Sequence, residues 1–290
     1  MSNNTLLVAE RSRDIGNFMV GRLLPFRRKR LVGPFCFIDH MGPSQVGPGR
    51  YVDVDQHPHI GLCTLTYLLD GSIMHRDSTG AEQEIMPGSV NLMVAGSGVT
   101  HTERTPEIIR RIGAEQHLHG YQVWIALPTA EEERSPSFHH IGSDQLPNWT
   151  EGGLQFRLVA GQGFGRQAAT PTFSPLFMVD ISAEQSEMLD INGQLNGEIA
   201  VVVVHGQVSV DEELVKQGQM LISKTEDHCC LQLEEGTRLL LFGGQPLPEE
   251  RFLFWNFVSH SKERLERAKA DWQAKRFPPV PGDETYIPLP

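Results

Sequence analysis

The feature that most restricts this chain is the rhythm of its apolar runs, which are short, rich in β-branched and aromatic residues, and broken repeatedly by glycine or proline. Residues 64–69 run into Asp70-Gly71 and the pattern resumes over 72–75, which reads as two strands joined at a glycine turn. Pro87-Gly88 punctuates, residues 89–94 form the next run, Gly96-Ser-Gly98 turns again, and residues 121–127 make a strand ending at Pro128. The second half repeats the plan. Residues 200–206 mirror 67–71, residues 207–210 follow the turn, Gly218 and the run after it stand where Gly88 and its run stood, and residues 239–243 close the sheet. Strands this dense point to a β-sandwich or barrel, and the repeat points to a duplicated barrel. The 28 glycines and 19 prolines among 290 residues agree, since they favour turns over long helices.

The Gly-, Pro- and Thr-rich stretch 161–175 is the expected junction, giving an N-terminal barrel over 1–160 and a C-terminal barrel with a helix and tail over 161–290. The helix is expected over 262–274, capped by Ser259 or Ser261, with Leu265, Ala268 and Trp272 on one face and Pro278-Pro279 as its stop. The tail 281–290 carries Tyr286, Ile287 and Leu289 and should lie extended against a domain. A net charge of −11 argues against a nucleic-acid or anionic-membrane binder. No run approaches the roughly 18 apolar residues of a membrane span. Met1-Ser-Asn-Asn-Thr5 does not open a signal peptide, and four sparse cysteines, two of them adjacent at 229 and 230, make no disulfide framework, so a reducing cytoplasm is expected. A monomer is expected because two barrels packed together protect each other's exposed sheet faces.

Two residue pairs carry the chemistry. In His57-Pro-His59 and His101-Thr-Glu103 the members are two apart, so on a strand both side chains of each pair share one face. If the two strands neighbour one another, three imidazoles and a carboxylate converge. Such a nitrogen and oxygen set suits Fe(II), and also Mn, Ni, Cu or Zn, and leaves positions for water, dioxygen or substrate. His117-Leu-His119 and His139-His140 lack a second pair and fit this role less well. Asp39-His40 either orients a ligand imidazole or forms a buried structural pair. Arg27-Arg-Lys-Arg30 and Glu131-Glu-Glu-Arg134 read as solvated rims.

His57-Pro-His59, Pro87-Gly88 and His101-x-Glu103 resemble the two cupin motifs, and the wider set resembles the pirin family. The supporting stretches are residues 28–35, 37–43, 57–61, 86–91, 98–104 and 122–128, in the family's order. The resemblance implies an all-β bicupin with two jelly-roll-like barrels in tandem and a short C-terminal helix. It implies one mononuclear iron in the N-terminal barrel on His57, His59, His101 and Glu103, with Glu103 also available as a base. For activity it implies a dioxygenase similar to quercetin 2,3-dioxygenase, taking a flavonol or enediol substrate and O2. The other role found in the family is an iron-dependent redox sensor that regulates a protein partner.

Two departures bear on that reading. Many pirins have Arg-Gly-Phe-Glu after His-Pro-His, whereas this chain has Ile60-Gly-Leu-Cys63, so Cys63 replaces a carboxylate. Cys63 is either a small buried apolar residue or an oxidisable thiol near the metal. In the second barrel, counting back from the hairpin glycine Gly206 puts Asn192 and Gln194 at the first two ligand positions, and the downstream motif keeps His228 but has Cys230 at the counterpart of Glu103, a weak quartet that predicts no second metal. Leu62, Met74, Met93, Val94 and Phe37 suggest an apolar lining suited to a small aromatic substrate.

Overall fold

The computed structural model describes residues 5–15, 18–210, 213–223 and 230–290. The chain forms two compact units, one of Met1–Arg11, Arg22–Phe37 and Asp144–Leu247, the other of Ser12–Gly21, Ile38–Ser143 and Pro248–Pro290. Both are built from antiparallel strands, with short Glu107–Ile112 and terminal Lys262–Gln273 as the α-helices among the described residues. None is long and apolar enough to cross a membrane.

The units are discontinuous, unlike the division expected at 160. The strand Leu154–Gly163 pairs with Leu176–Ala183, and Thr5–Ala9 closes the edge of Gln219–Ser223, so both belong to the barrel of the second half. The C-terminal segment belongs instead to the barrel of the first half. Glu132, 2% exposed, accepts from Arg251, Ser259 Oγ and both the backbone and ring nitrogens of His260, which fixes the segment there. Ser261 caps the terminal helix by accepting from Arg264 N, and Leu265, Ala268 and Trp272 are its buried face.

The duplication is plain in strand order. The small sheet of the first-half barrel runs Asp53–His59, Val99–Arg104, Ile73–Asp77, Glu82–Ile85. Its counterpart runs Glu187–Asp190, Cys230–Leu233, Gln207–Val210, Glu213–Lys216. The hairpin glycines Gly71 and Gly206 both take φ 77°, a left-handed turn conformation that other residues adopt at a cost. At Gly71 a Cβ would also stand 2.2 Å from the His117 carbonyl oxygen.

The two barrels differ in what fills them. In the second-half barrel Val208, Val210, Leu231 and Leu233 join Leu154, Phe156, Phe177 and others in one apolar cluster. Alternation sends Cys230 to the opposite face from Leu231 and Leu233, where it is half-buried, and Asn192 and Gln194 are exposed beyond the end of Glu187–Asp190. His228 lies outside the described residues. No ligand cluster forms in this barrel among the described residues, because its inward positions carry methyl groups.

Candidate metal centre

The first-half barrel gathers its polar residues on one face of the small sheet. Val99–Arg104 lies between Asp53–His59 and Ile73–Asp77, with His101 opposite His57 on one side and opposite Asp77 on the other. Glu103 stands opposite His75. Cross-strand partners and residues two apart share a face, so His57, His59, His75, Asp77, His101 and Glu103 all point inward. A bulge lies on the Asp53–His59 side, where Glu103 pairs with Val54 instead of continuing the register from His57.

His57, His59 and His101 are buried, and one ring nitrogen of each lies within 4.8 Å of the others. The Nε2 atoms of His59 and His101 are 3.1 Å apart. Two nitrogens bound at right angles to one ion, each about 2.1 Å from it, would stand about 3 Å apart. Hydrogen bonding on the far side of the His57 and His101 rings turns their lone pairs toward this point. His57 Nδ1 donates to the Asp55 carbonyl at 2.8 Å, which leaves Nε2 unprotonated. His59 Nδ1 faces the Asn256 backbone without a well-formed hydrogen bond. Burial drives His57 down to about 4, and burial together with neighbouring imidazoles holds His59 and His101 well below the ordinary histidine value. Three neutral imidazoles aimed at one point suit a divalent metal ion.

His101 is oriented by two residues of the strand that follows the glycine hairpin. His75 Nδ1 lies 3.4 Å from His101 Nδ1, and His75 Nε2 lies 3.0 Å from Asp77 Oδ2. Asp77 also accepts from Thr79 N, Thr79 Oγ1 and Ala81 N through Oδ1. Burial alone would raise this carboxyl, but the bonds from His75 and Thr79 outweigh it and hold it below its ordinary value. An ionised Asp77 accepts a hydrogen bond from His75 Nε2, His75 Nδ1 then accepts from His101 Nδ1, and His101 presents an unprotonated Nε2 to the centre. The signal was present in the sequence as a third pair at spacing two, His75-Arg-Asp77.

Glu103 is half-buried and is not among the three grouped imidazoles. Burial raises its carboxyl above the ordinary value, partly offset by His75 and by the Thr66 hydroxyl 3.4 Å away. Thr66 also donates to Gln122 Oε1 at 2.8 Å. The large sheet facing the centre carries two cross-strand rows: His140, Asn91, Thr66 and Gln122, then Phe138, Met93, Thr64 and Trp124. Phe138 stacks on His75 at 4.5 Å and Trp124 meets His59 edge-on at 5.0 Å. A polar lane beside an aromatic one therefore borders the imidazoles.

The remaining candidates separate by strand parity. Leu62 and Met93 share the inward face, whereas Met74 and Val94 alternate to the other side and Phe37 carries the Arg22 guanidinium at 4.4 Å. Cys63, 2% exposed, lies on the face of Leu65 and Tyr67, opposite the threonine that touches Glu103. His40 bonds His119 at 2.8 Å and stacks on Tyr121, His117 is exposed, His139 bonds Ser137, and His140 bonds Asn91.

A Pirin family model matches residues 17–125, and one for the pirin C-terminal cupin domain matches residues 178–278. A pirin-like protein of Caulobacter vibrioides is 45% identical over 290 residues, spanning 98% of this chain and 99% of its own. The chain belongs to the pirin family. Mouse pirin is 25% identical over 282 residues, 93% of this chain and 91% of the mouse protein. The crystal structure of a quercetin 2,3-dioxygenase from Acinetobacter baumannii matches at TM-score 0.91 and 34% identity, covering 99% of this chain and 95% of that one. The all-β pirin architecture, two cupin barrels and a C-terminal helix, is thus the one expected from the sequence.

Proposed function

We propose that this pirin is a mononuclear iron(II) dioxygenase that opens a flavonol or related enediol with O2. The observation that carries the reading is the convergence of three neutral, buried imidazoles beside Glu103 and an aromatic wall. The Acinetobacter relative, named for the quercetin reaction, supports the choice of substrate class. His57, His59 and His101 would hold the metal, with Glu103 completing the set. When bound, the metal would supply Lewis acidity toward an enolic oxygen of the substrate.

The protein's own contribution is to receive, orient and deprotonate. Phe138 and Trp124 offer aromatic surface to a flat ring system, while Thr66 and Gln122 offer polar atoms to its oxygenated edge. Glu103, the carboxylate beside the three imidazoles and within reach of the Thr66 hydroxyl, takes the proton from the substrate hydroxyl. Thr66 can then turn its single hydroxyl proton to either Glu103 or Gln122.

The test is anaerobic loading with ferrous iron, then quercetin and O2, following flavonol loss and carbon monoxide release. Turnover by the wild type and none by His101→Ala supports the proposal. A protein carrying one iron, nickel, copper or manganese per chain that consumes no flavonol refutes it.

A further inference from the structure

Gln56 lies between Asp55 and the ligand pair, in the bulged strand at the edge of the small sheet. It is 4% exposed, and its polar groups are committed to the last residues of the chain. Its backbone N donates to Thr285 Oγ1 at 3.1 Å, and its carbonyl accepts from Ile287 N at 2.9 Å. Its side-chain Nε2 donates to the Asp283 carbonyl at 2.8 Å and the Thr285 carbonyl at 3.0 Å, with Asp283 Oδ1 at 3.2 Å. Its Oε1 accepts from Val280 N at 2.8 Å. From the neighbouring strand Arg104 spans Asp55 Oδ1 at 2.8 Å, Asp283 Oδ2 at 2.6 Å and Thr285 Oγ1 at 3.0 Å. The far side of the tail is held in turn by the terminal helix, through Trp272 Nε1 to the Ile287 carbonyl at 2.8 Å and Tyr286 stacked on Trp272 at 4.5 Å.

We infer that Gln56 and the tail 280–287 form a positioning clasp for the metal centre. The tail takes the place of a missing neighbour at the sheet edge and fixes the bulge at Asp55 and Gln56. The bulge in turn aims the Asp55 carbonyl at His57 Nδ1, so the direction of the His57 lone pair is set by residues more than two hundred positions away in sequence. Neither Gln56 nor the tail touches the centre. They act through His57, as hydrogen-bond partners behind a ligand do, and loss of such partners typically weakens metal binding about 10- to 100-fold. This inference rests on the three-histidine metal reading.

The experiment titrates the full-length apo protein with cobalt(II), recording affinity and the visible ligand-field spectrum. Gln56→Met keeps the side-chain length and loses its hydrogen bonds. Gln56→Glu keeps an acceptor for Val280 N but sets a carboxylate against Asp283. Thr285→Val, the mildest change, removes one hydroxyl and carries the test should a Gln56 variant fail to fold. Leu241→Ala, in the core of the other unit, serves as a control destabilised without touching the clasp. The expected result is cobalt affinity lowered about tenfold or more, with an altered spectrum, in the clasp variants and neither change in the control. Wild-type affinity and spectrum in the folded Thr285→Val and Gln56 variants would overturn the clasp alone. A wild type that takes up no cobalt would overturn the metal reading with it.

Discussion

Asp77→Asn should cost the protein its metal although Asp77 is not expected to bind one. The side chain is fully buried, with Oδ1 accepting from the turn at Thr79 and Ala81 and Oδ2 facing His75 Nε2. An asparagine that keeps its oxygen toward the turn must point its NH2 at His75. Two donors then face each other unless the His75 proton moves to Nδ1, where it meets His101 Nδ1 at 3.4 Å. His101 must in turn carry its proton on Nε2, the nitrogen 3.1 Å from His59 Nε2, and a protonated nitrogen cannot bind a metal. Removing a carboxylate behind a metal-binding histidine typically lowers affinity about 10- to 100-fold, equivalent to about 1.4–2.7 kcal/mol. Loss of the hydrogen bond to a charged group should lower fold stability by about 1.5–3 kcal/mol. Cobalt or iron titration of the apo variant, with thermal unfolding alongside, measures both. A folded Asp77→Asn protein that binds metal as tightly as the wild type would refute the proton relay.

Acid should destabilise the metal-free protein well before carboxylates titrate. Unfolded, His57 takes up a proton near pH 6.5, but folded only near 4, so the unfolded chain holds more protons between those values and stability falls as pH drops. That difference is worth about 3 kcal/mol, His59 and His101 act in the same direction, and denaturant melts of wild type and His57→Gln between pH 7 and 4 should show a shallower slope in the variant. Glu103→Gln should fold and abolish flavonol turnover; full turnover by the variant would remove Glu103 from the role of base. Glu132→Ala removes the buried carboxylate 3.0 Å from Arg251, leaving that guanidinium the more distant Glu249 at 3.7 Å as its ion-pair partner, and should cost about 3–5 kcal/mol, read as a lower melting temperature, while the folded fraction keeps one metal per chain.

Much of the first-half barrel can be read from residue spacing. His57, His59 and His101 were recognisable because period two on adjacent strands is a strict constraint, and the structure does place His57 opposite His101. His75 and Asp77 obey the same rule but sit just past the hairpin turn, where a strand needs no functional explanation. Cys63 shows the limit of motif substitution. Its position in the family pattern left two readings open, a small buried apolar residue or a thiol near the metal, and parity with Leu65 and Tyr67 selects the first by turning the thiol away. The domain limits were hidden for a different reason: strand Thr5–Ala9 and segment Pro248–Pro290 each complete the barrel remote from them in sequence, and such pairings leave no local pattern.

The contrast between the barrels is itself an argument about the metal. Both have the same strand order and the same glycine hairpin, so the fold alone requires no histidines. In the second-half barrel the inward residues of the equivalent strands are Val208, Val210, Leu231 and Leu233, which bury without any polar demand. In the first-half barrel the same sheet holds four imidazoles and two carboxyl groups, a set that is costly to bury unless each member is hydrogen-bonded or bound to an ion. Asp77 and His75 satisfy one another and His101, and the Asp55 carbonyl satisfies His57. What those bonds leave over is His59 Nδ1 and the Nε2 atoms grouped at the centre of the three rings. Replacing His57, His59 and His101 together by leucine, valine and leucine should therefore raise the apo protein's melting temperature while abolishing metal uptake. A triple variant less stable than the apo wild type would show that the imidazoles belong to the packing of the barrel and are not a burden retained for the metal.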